Sequence, residues 1–520
     1  MKLNLLPLLT VALLGAAGAQ AETLRIGYAD PVSSLDPQLN NYAGDRSIAL
    51  HVFGSLLERR DSEILPGLAE SWKVIDPLTW EFKLRQDVKW QDGTPFTADD
   101  VVFSLERAPK VPGSLSSYSA GLRTVASAKA IDAHTLRVTT SVPNPNLLPN
   151  IDSIYLVSRK TGSLSSSDDY NSGKAMVGTG PYRFVSHVPG DRTLFERNPS
   201  YWGTPAHWDK VDYRYIANPA ARTAALLAGD VDVIDKVSPA DVARLSNSDK
   251  VSLYAYPGLR ALLVQPSLRA GSHEFIRGND GKPLAENPLR DPRVRRALSV
   301  AINRKGITER ILQGTASVAN QWMPAGTFGY NTQIQDIPYD AAQAKALLAE
   351  AGYPEGFQLT VHVPGDRYPL APESMQAVAQ FWSRIGVKVQ LEVVPWAVYA
   401  SRANKNEYAV SVIAWGNGTG EASYGLINVL ATPDASRGLG GSNWGHYSNA
   451  KVDQALAEAT EEFDDSRRAA ILSDAAQVVS DDVGIIPLFH YQNIWAARKG
   501  LKVEPLVSDR TAAQMVSEVK

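Results

Sequence analysis

The stretch LTVHVPGDRYPLAPESMQAVAQFWSRIGVKVQLEV, residues 359–393, carries the signal that decides the fold. Leu359, Val361 and Val363 alternate with Thr360 and His362, the period of a strand. From Glu373 to Ile385 the apolar residues Met375, Val378, Phe381, Trp382 and Ile385 recur at helical spacing, and Gly386 supplies a helix stop. Val387, Val389, Leu391 and Val393 then alternate again. A strand, a helix and a strand in this order predict a parallel pair joined by a right-handed crossover. The fold class is therefore α/β, and this half of the chain is expected to hold a doubly wound sheet of its own.

Working outward, Asp340 is placed to cap a helix that runs through Ala346, Leu347 and Leu348 to Gly352, with Pro354 beyond it. Asp291-Pro292 starts another, in which Val294, Leu298, Ala301 and Ile302 recur at helical spacing. The first half has the same grammar. Thr23 to Ala29 reads as a strand through Leu24, Ile26 and Tyr28, ending at the turn Asp30-Pro31, with a substrate-facing loop expected next. Trp80, Phe82 and Leu84 alternate, Asp92-Gly93 turns the chain, and Thr97 with Asp100 forms a helix start whose Val101, Val102 and Leu105 face inward. Ala221 to Ala228 is helix-favouring, Gly229 ends it, and Val231 to Ile234 resumes a strand. Two α/β lobes of this kind create a cleft.

The 520 residues are 44% hydrophobic and 21% charged, an ordinary globular composition that implies about three compact units. With 52 basic and 55 acidic residues the formal charge is −3, which argues against nucleic acid or an anionic membrane as the main partner. The absence of cysteine excludes disulfides, thiolate metal sites and thiol nucleophiles. Residues 1–21 read as a cleavable signal peptide: Lys2, an apolar run from Leu5 to Ala19, and the small-x-small sequence Ala19-Gln20-Ala21 before Glu22. The run is shorter than the roughly 20 residues needed to span a bilayer. An exported, cysteine-free chain points to a bacterial periplasm or exterior.

Enzyme signatures are sparse. No two of the eight histidines are spaced three or four apart, so no helical metal pair is expected. Gly173-Lys174 is similar to the end of a phosphate loop, but Ala175 replaces its hydroxyl residue and Asp168 its leading glycine. No Gly-x-Ser-x-Gly elbow occurs. The pairs Asp99-Asp100, Asp464-Asp465 and Asp481-Asp482 read as helix caps and dipole partners. No catalytic residue, cofactor or metal is assigned.

Aromatic residues suggest binding instead. Of eleven tryptophans and twenty tyrosines, Trp322, Trp396, Trp415, Trp444 and Tyr491 occupy loop-like contexts, whereas Trp80, Trp90 and Trp382 fall in core patterns. Trp415 ends the apolar run Tyr408 to Ala414 and opens Gly416-Asn417-Gly418-Thr419-Gly420-Glu421, where backbone can approach a ligand and Glu421 can accept hydrogen bonds.

Three runs, 65–72 (LPGLAESW), 79–85 (TWEFKLR) and 90–101 (WQDGTPFTADDV), closely resemble the solute-binding proteins of peptide and nickel ABC importers, family 5. The resemblance continues through Ser34-Leu35-Asp36-Pro37, Gly178-Thr179-Gly180-Pro181-Tyr182, Tyr201-Trp202-Gly203, Gly229-Asp230-Val231-Asp232, the helix at 293–298, and Ile486-Pro487-Leu488-Phe489. It implies a two-lobed periplasmic-binding-protein-like fold of type II, similar to cluster C. Lobe one would comprise residues 22–49, 177–263 and 492–520, with an inserted subdomain at 50–176, and lobe two residues 264–491. It further implies hinge closure on a peptide or peptide-like solute, delivery to a membrane permease, and a monomer. Ser34, Leu35, Trp322, Trp396, Trp415, Asn417 and Tyr491 would contact ligand, with Arg260 as a carboxylate partner.

One position departs from the pattern. Peptide-binding members carry an Asp three residues after the cleft Trp to pair with the ligand's ammonium, and here that position is Gly418. Glu421 is a candidate substitute; otherwise the ligand lacks a free amine, as an opine, an oligosaccharide, a blocked peptide or a metal chelate does. A secreted hydrolase acting on an oligomeric substrate is the alternative from another class, and a chemosensory partner is an alternative to import.

Overall fold

The computed structural model describes residues 22–519; the expected signal peptide lies outside them. The crossover is present: Gln358–Pro364 and Lys388–Val394 pair in parallel, connected by the helix Ala371–Ser383. Gly386 closes it at φ +93°, where a side chain would be strained. Helix starts follow the sequence reading, since Asp340 accepts from the backbone N–H of Gln343 and Asp291 from that of Arg293, both at 2.8 Å.

The expected doubly wound sheet is not what surrounds this crossover. Only the short strand Ile276–Arg277 joins it, antiparallel, and the sheet ends at three strands. The strands that would have extended it belong to a larger sheet shared by both lobes. In that nine-stranded sheet the order runs Val410–Gly416, Val251–Pro266, Ile486–Arg498, Val233–Ile234, Thr23–Tyr28, Lys210–Tyr215, Arg192–Arg197, Tyr182–Val188, with Ala316–Val318 against Ile486–Arg498.

Two long strands carry the sheet from one lobe to the other. Before the midpoint Val251–Pro257 pairs with Gln492–Arg498, whereas beyond it Ala261–Val264 pairs with Ile486–His490 and Arg260–Pro266 with Val410–Gly416. Between Pro257 and Ala261 the register slips. Pro257 has no N–H to give to a ladder, and a Cβ on Gly258 would lie 2.7 Å from the Tyr491 carbonyl, so the two strands approach where pairing is interrupted.

Where the inserted subdomain is expected, residues 69–140 form a four-stranded antiparallel sheet in the order Ala69–Asp76, Thr79–Leu84, Thr135–Thr140, Val125–Asp132, covered by the helix Ala98–Arg107. The Asp100 carboxylate accepts from the Thr97 backbone at 2.9 Å and from the buried Trp90 indole at 3.2 Å, tying the helix start to the core. A second feature of this subdomain, the hairpin Leu57–Arg60 and Glu63–Pro66, reaches toward lobe two.

The C-terminal segment is fastened to the helix Ala43–Val52 through His51, which is fully buried. Its Nδ1 lies 2.8 Å from the Ser47 carbonyl, and its Nε2 lies 3.0 Å from the backbone N–H of Ala513. Nδ1 therefore carries the proton and Nε2 must stay bare to accept. Burial pushes the pKa from 6.5 down to about 4. Below pH 6.5 the unfolded chain takes up a proton that the folded chain refuses, so this histidine removes stability as pH falls from 6.5 toward 4, by up to about 3 kcal/mol. Denaturant unfolding at pH 7 and pH 5 should show a smaller acid loss for His51→Gln than for wild type; equal losses would remove His51 as a cause.

Candidate functional site

The strand Val410–Gly416 brings Trp415 opposite Ala261 and Gly416 opposite Arg260, next to the register slip. Beyond it the chain folds back on itself. The Asn417 N–H donates to the Leu259 carbonyl at 2.9 Å, fastening the segment to the crossing strand. Gly420, at φ +72°, donates to the Asn417 carbonyl, and its own carbonyl accepts from Phe328. A Cβ at Gly420 would stand 3.3 Å from the Asp61 carbonyl of the inserted hairpin, so glycine here permits a close approach between lobes. Four buried polar atoms of this segment have no partner among the described residues: Trp415 Nε1, Asn417 Nδ2 and Oδ1, and Thr419 Oγ1. Unpaired buried polar groups are costly, and they mark a place where a ligand's polar atoms would be stabilising.

Arg260 stands at the centre of an aromatic group. Its Nη1 donates to the Ala414 carbonyl at 2.9 Å while the side chain stays exposed. Its charge bears on the hydroxyls of Tyr368, Tyr424 and Tyr491; burial raises the pKa of all three, and the Arg260 guanidinium opposes that rise. Tyr424 packs against Trp415 with ring centroids 5.2 Å apart. Tyr491 donates its hydroxyl to the Pro369 carbonyl at 2.9 Å. Half-buried Trp396 lies edge-on to Tyr368 and stacked on Tyr399, with the exposed Arg367 guanidinium 5.5 Å from its ring centroid.

Other expected ligand contacts sit elsewhere. Trp322 is 1% exposed and packs in the lobe-two core, where a Cβ on Gly425 would come within 2.3 Å of its indole. Ser34 and Leu35 are buried in lobe one: Ser34 Oγ and the Leu35 N–H both donate to Asn171 Oδ1, at 2.9 and 2.8 Å. Trp444 is core as well, its indole N–H donating to Asn404 at 2.9 Å. Glu421 is committed internally. Its carboxylate accepts from Arg468 Nη2 at 2.8 Å and Nη1 at 3.1 Å and from Ser423 Oγ at 2.9 Å, with both charged partners 5% exposed. It has no exposed face with which to replace a carboxylate at position 418.

Contacts from the inserted subdomain close the seam. Arg59 Nη2 donates to the Gly418 carbonyl at 2.7 Å, Ser62 Oγ to the Gly326 carbonyl at 2.7 Å, and Asn146 Nδ2 to Ser423 Oγ at 3.1 Å. Asp61, at the hairpin tip, accepts from the Tyr256 hydroxyl at 2.6 Å, bracing the hairpin on the crossing strand. The sequence reading missed Arg59, Arg367, Tyr368 and Tyr424. Only Tyr424 had a local cue, three residues beyond Glu421.

Outside this seam, the exposed Glu22, His207 and Glu518 come close enough to share a cation, brought together from distant parts of the chain. No helix among the described residues is long and apolar enough to cross a membrane.

Two lobes joined by a pair of crossing strands, with an aromatic and cationic group at the join, define a two-lobed binding protein. Residues 63–437 match the family model for bacterial extracellular solute-binding proteins, family 5 Middle. The chain belongs to this family. It is 29% identical to heme-binding protein A of Haemophilus influenzae over 84% of this chain and 81% of that one. It is 26% identical to the dipeptide-binding protein of Escherichia coli over 95% of both chains. The solved structure of HbpA2 from Haemophilus parasuis superposes with a TM-score of 0.83 at 26% identity, covering 96% of this chain and all of that one.

Proposed function

We propose that the protein captures a peptide or peptide-like solute between its lobes by hinge closure and delivers it to an ABC import permease. The observation that carries this is the register slip at Pro257–Ala261, which lies against Arg260 and Tyr491, so ligand contacts and the pivot share the same residues. A solute touching Arg260 and Trp415 from one side and the inserted subdomain from the other would favour the closed arrangement by the difference in its contacts with the two states. The lobes in this reading are residues 22–49 with 177–263 and 492–520, and residues 264–491, with 50–176 inserted. The protein acts as an exported periplasmic monomer without turnover.

The anchoring of a free ligand ammonium, as in dipeptide binders, finds no support at Gly418 or at Glu421, which is held by Arg468. This favours solutes without a free amine, such as blocked peptides or opines, over simple peptides.

The test is capture from a bacterial low-molecular-weight extract, followed by removal of unbound solute, denaturation and mass spectrometry of what is released. Recovery of an unaltered solute, with compaction of the loaded protein in solution scattering, is the expected result. A chemically altered product would favour the hydrolase reading. For the solute so identified, Trp415→Ala should weaken binding about thirtyfold, the ~2 kcal/mol typical of a buried aromatic anchor; unchanged affinity would remove Trp415 from the contact surface.

A further inference from the structure

At the lobe-one wall of the seam, Arg46, Arg59 and Arg510 gather near one carboxylate, Asp152, which pairs directly with Arg59 alone. Arg59 forms an ion pair through Nε with Asp152 Oδ2 at 3.0 Å and donates through Nη2 to the Gly418 carbonyl at 2.7 Å. Its remaining Nη1 is buried without a partner, as are Nε of Arg46 and Oδ1 of Asp152. Arg46 is 9% exposed and uses Nη1 on Asn41 Oδ1 at 2.7 Å. Arg510 arrives from the C-terminal segment, whose next residue, Thr511, donates its backbone N–H to Ser47 Oγ beside Arg46. Among the described residues no carboxylate lies within ion-pair distance of Arg46 or Arg510.

The other nearby acids are engaged. Asp509 faces Lys236 at 3.3 Å, and Lys236 also pairs with Asp30 at 2.6 Å. Asp45 accepts from the backbone and hydroxyl of Ser33. Arg510 therefore feels like charges: burial first, then Arg46 and Arg59, pull its pKa below the ordinary arginine value, against the opposing effect of Tyr155 and Asp152. With Arg46 and Asp152 buried and Arg59 and Arg510 half-buried, three guanidiniums around one carboxylate carry an excess of positive charge that an anion would complete. Planar N–H forks match the oxygens of a carboxylate or phosphate. The Arg59 bond to Gly418 sets this cluster beside the position where resembling peptide binders place an acid, and a Cβ at Gly418 would meet nothing within 4 Å.

We propose that Arg46, Arg59 and Arg510 form an anion subsite and that the solute is an organic anion whose carboxylate or phosphate group seats there, beside Gly418. This rests on the solute-capture reading above. The sign of the ligand charge is thereby opposite to that of an ammonium anchored at the same place.

The subsite is testable without knowing the solute. Melting of the purified protein is followed with citrate as a carboxylate probe and inorganic phosphate as the other, against sodium chloride at equal ionic strength. The expected result is a saturable rise of a few degrees with one or both probes and none with chloride. The larger rise identifies the acidic group. Arg59→Gln and Arg510→Gln should each weaken the probe's half-saturation about tenfold or more. Arg510→Lys should retain most of the response, and Arg310→Gln, at an exposed site elsewhere, all of it. Melting curves that coincide in chloride, citrate and phosphate, or Arg59 and Arg510 variants that respond as wild type does, would overturn the proposal. Capture of a neutral solute from extract, equally strong in Arg510→Gln, would leave solute capture standing and refute the anion subsite alone.

Discussion

Glu421→Ala should cost about 3–5 kcal/mol of stability, because it leaves the buried Arg468 guanidinium with only the exposed Asp465 carboxylate, at 3.6 Å. Both groups are 5% exposed and joined by two hydrogen bonds, at 2.8 and 3.1 Å. Arg468 also donates to Asn146 of the inserted subdomain, so the damage should extend across the seam. Urea unfolding at pH 7 measures the loss. The double variant Glu421→Leu with Arg468→Met should recover much of it, since two apolar groups leave no uncompensated charge. A Glu421→Ala protein that unfolds like wild type but no longer holds solute would assign Glu421 to ligand binding and refute its structural role.

Gly178→Ala should fail to accumulate as folded protein. A Cβ there would lie 1.8 Å from the Val52 carbonyl oxygen, at the end of the helix Ala43–Val52, and that same carbonyl accepts from the N–H of Gly180 at 2.8 Å. The obstruction is backbone on both sides, so it cannot be relieved by a rotamer change, and the penalty belongs with the largest single-residue effects, about 4 kcal/mol or more. Gly441→Ala provides the control. A Cβ at Gly441 meets nothing within 4 Å, and its melting temperature should match that of wild type. Normal expression and melting of Gly178→Ala would show that lobe one tolerates a backbone shift at this crossing.

Local features were legible in the sequence because their causes are local. The crossover at 358–394 and the caps at Asp291 and Asp340 are written in residues a few positions apart. The shared sheet was not, because Val251–Pro266 finds its partners in Val410–Gly416 and Ile486–Arg498, and a period-two pattern does not say which strand lies beside which. The site divides in the same way. Trp415 and Asn417 stand out by their glycine-rich setting and lie beside the register slip. Trp322 has a comparable loop-like context yet is core, because the missing side chain of Gly425, a hundred positions on, makes room for it. Glu421 reads as a free acceptor until the helix Asp465–Asp481 delivers Arg468. The arginine cluster brings residue 510 beside residues 46 and 59, and leaves no mark on any of their local sequences.

The two crossing strands also fix the mechanics of the molecule. Lobes tethered by two continuous strands, paired on either side of the register slip at Pro257–Ala261, would act like a flexure in an instrument rather than a door on a pin, with no bearing surface to slide or rebuild. A flexure returns toward its rest shape when the load is removed. In the proposed import cycle, contacts that hold the lobes together need only outweigh that elastic resistance, and withdrawal of the solute would let the protein return to the same alignment.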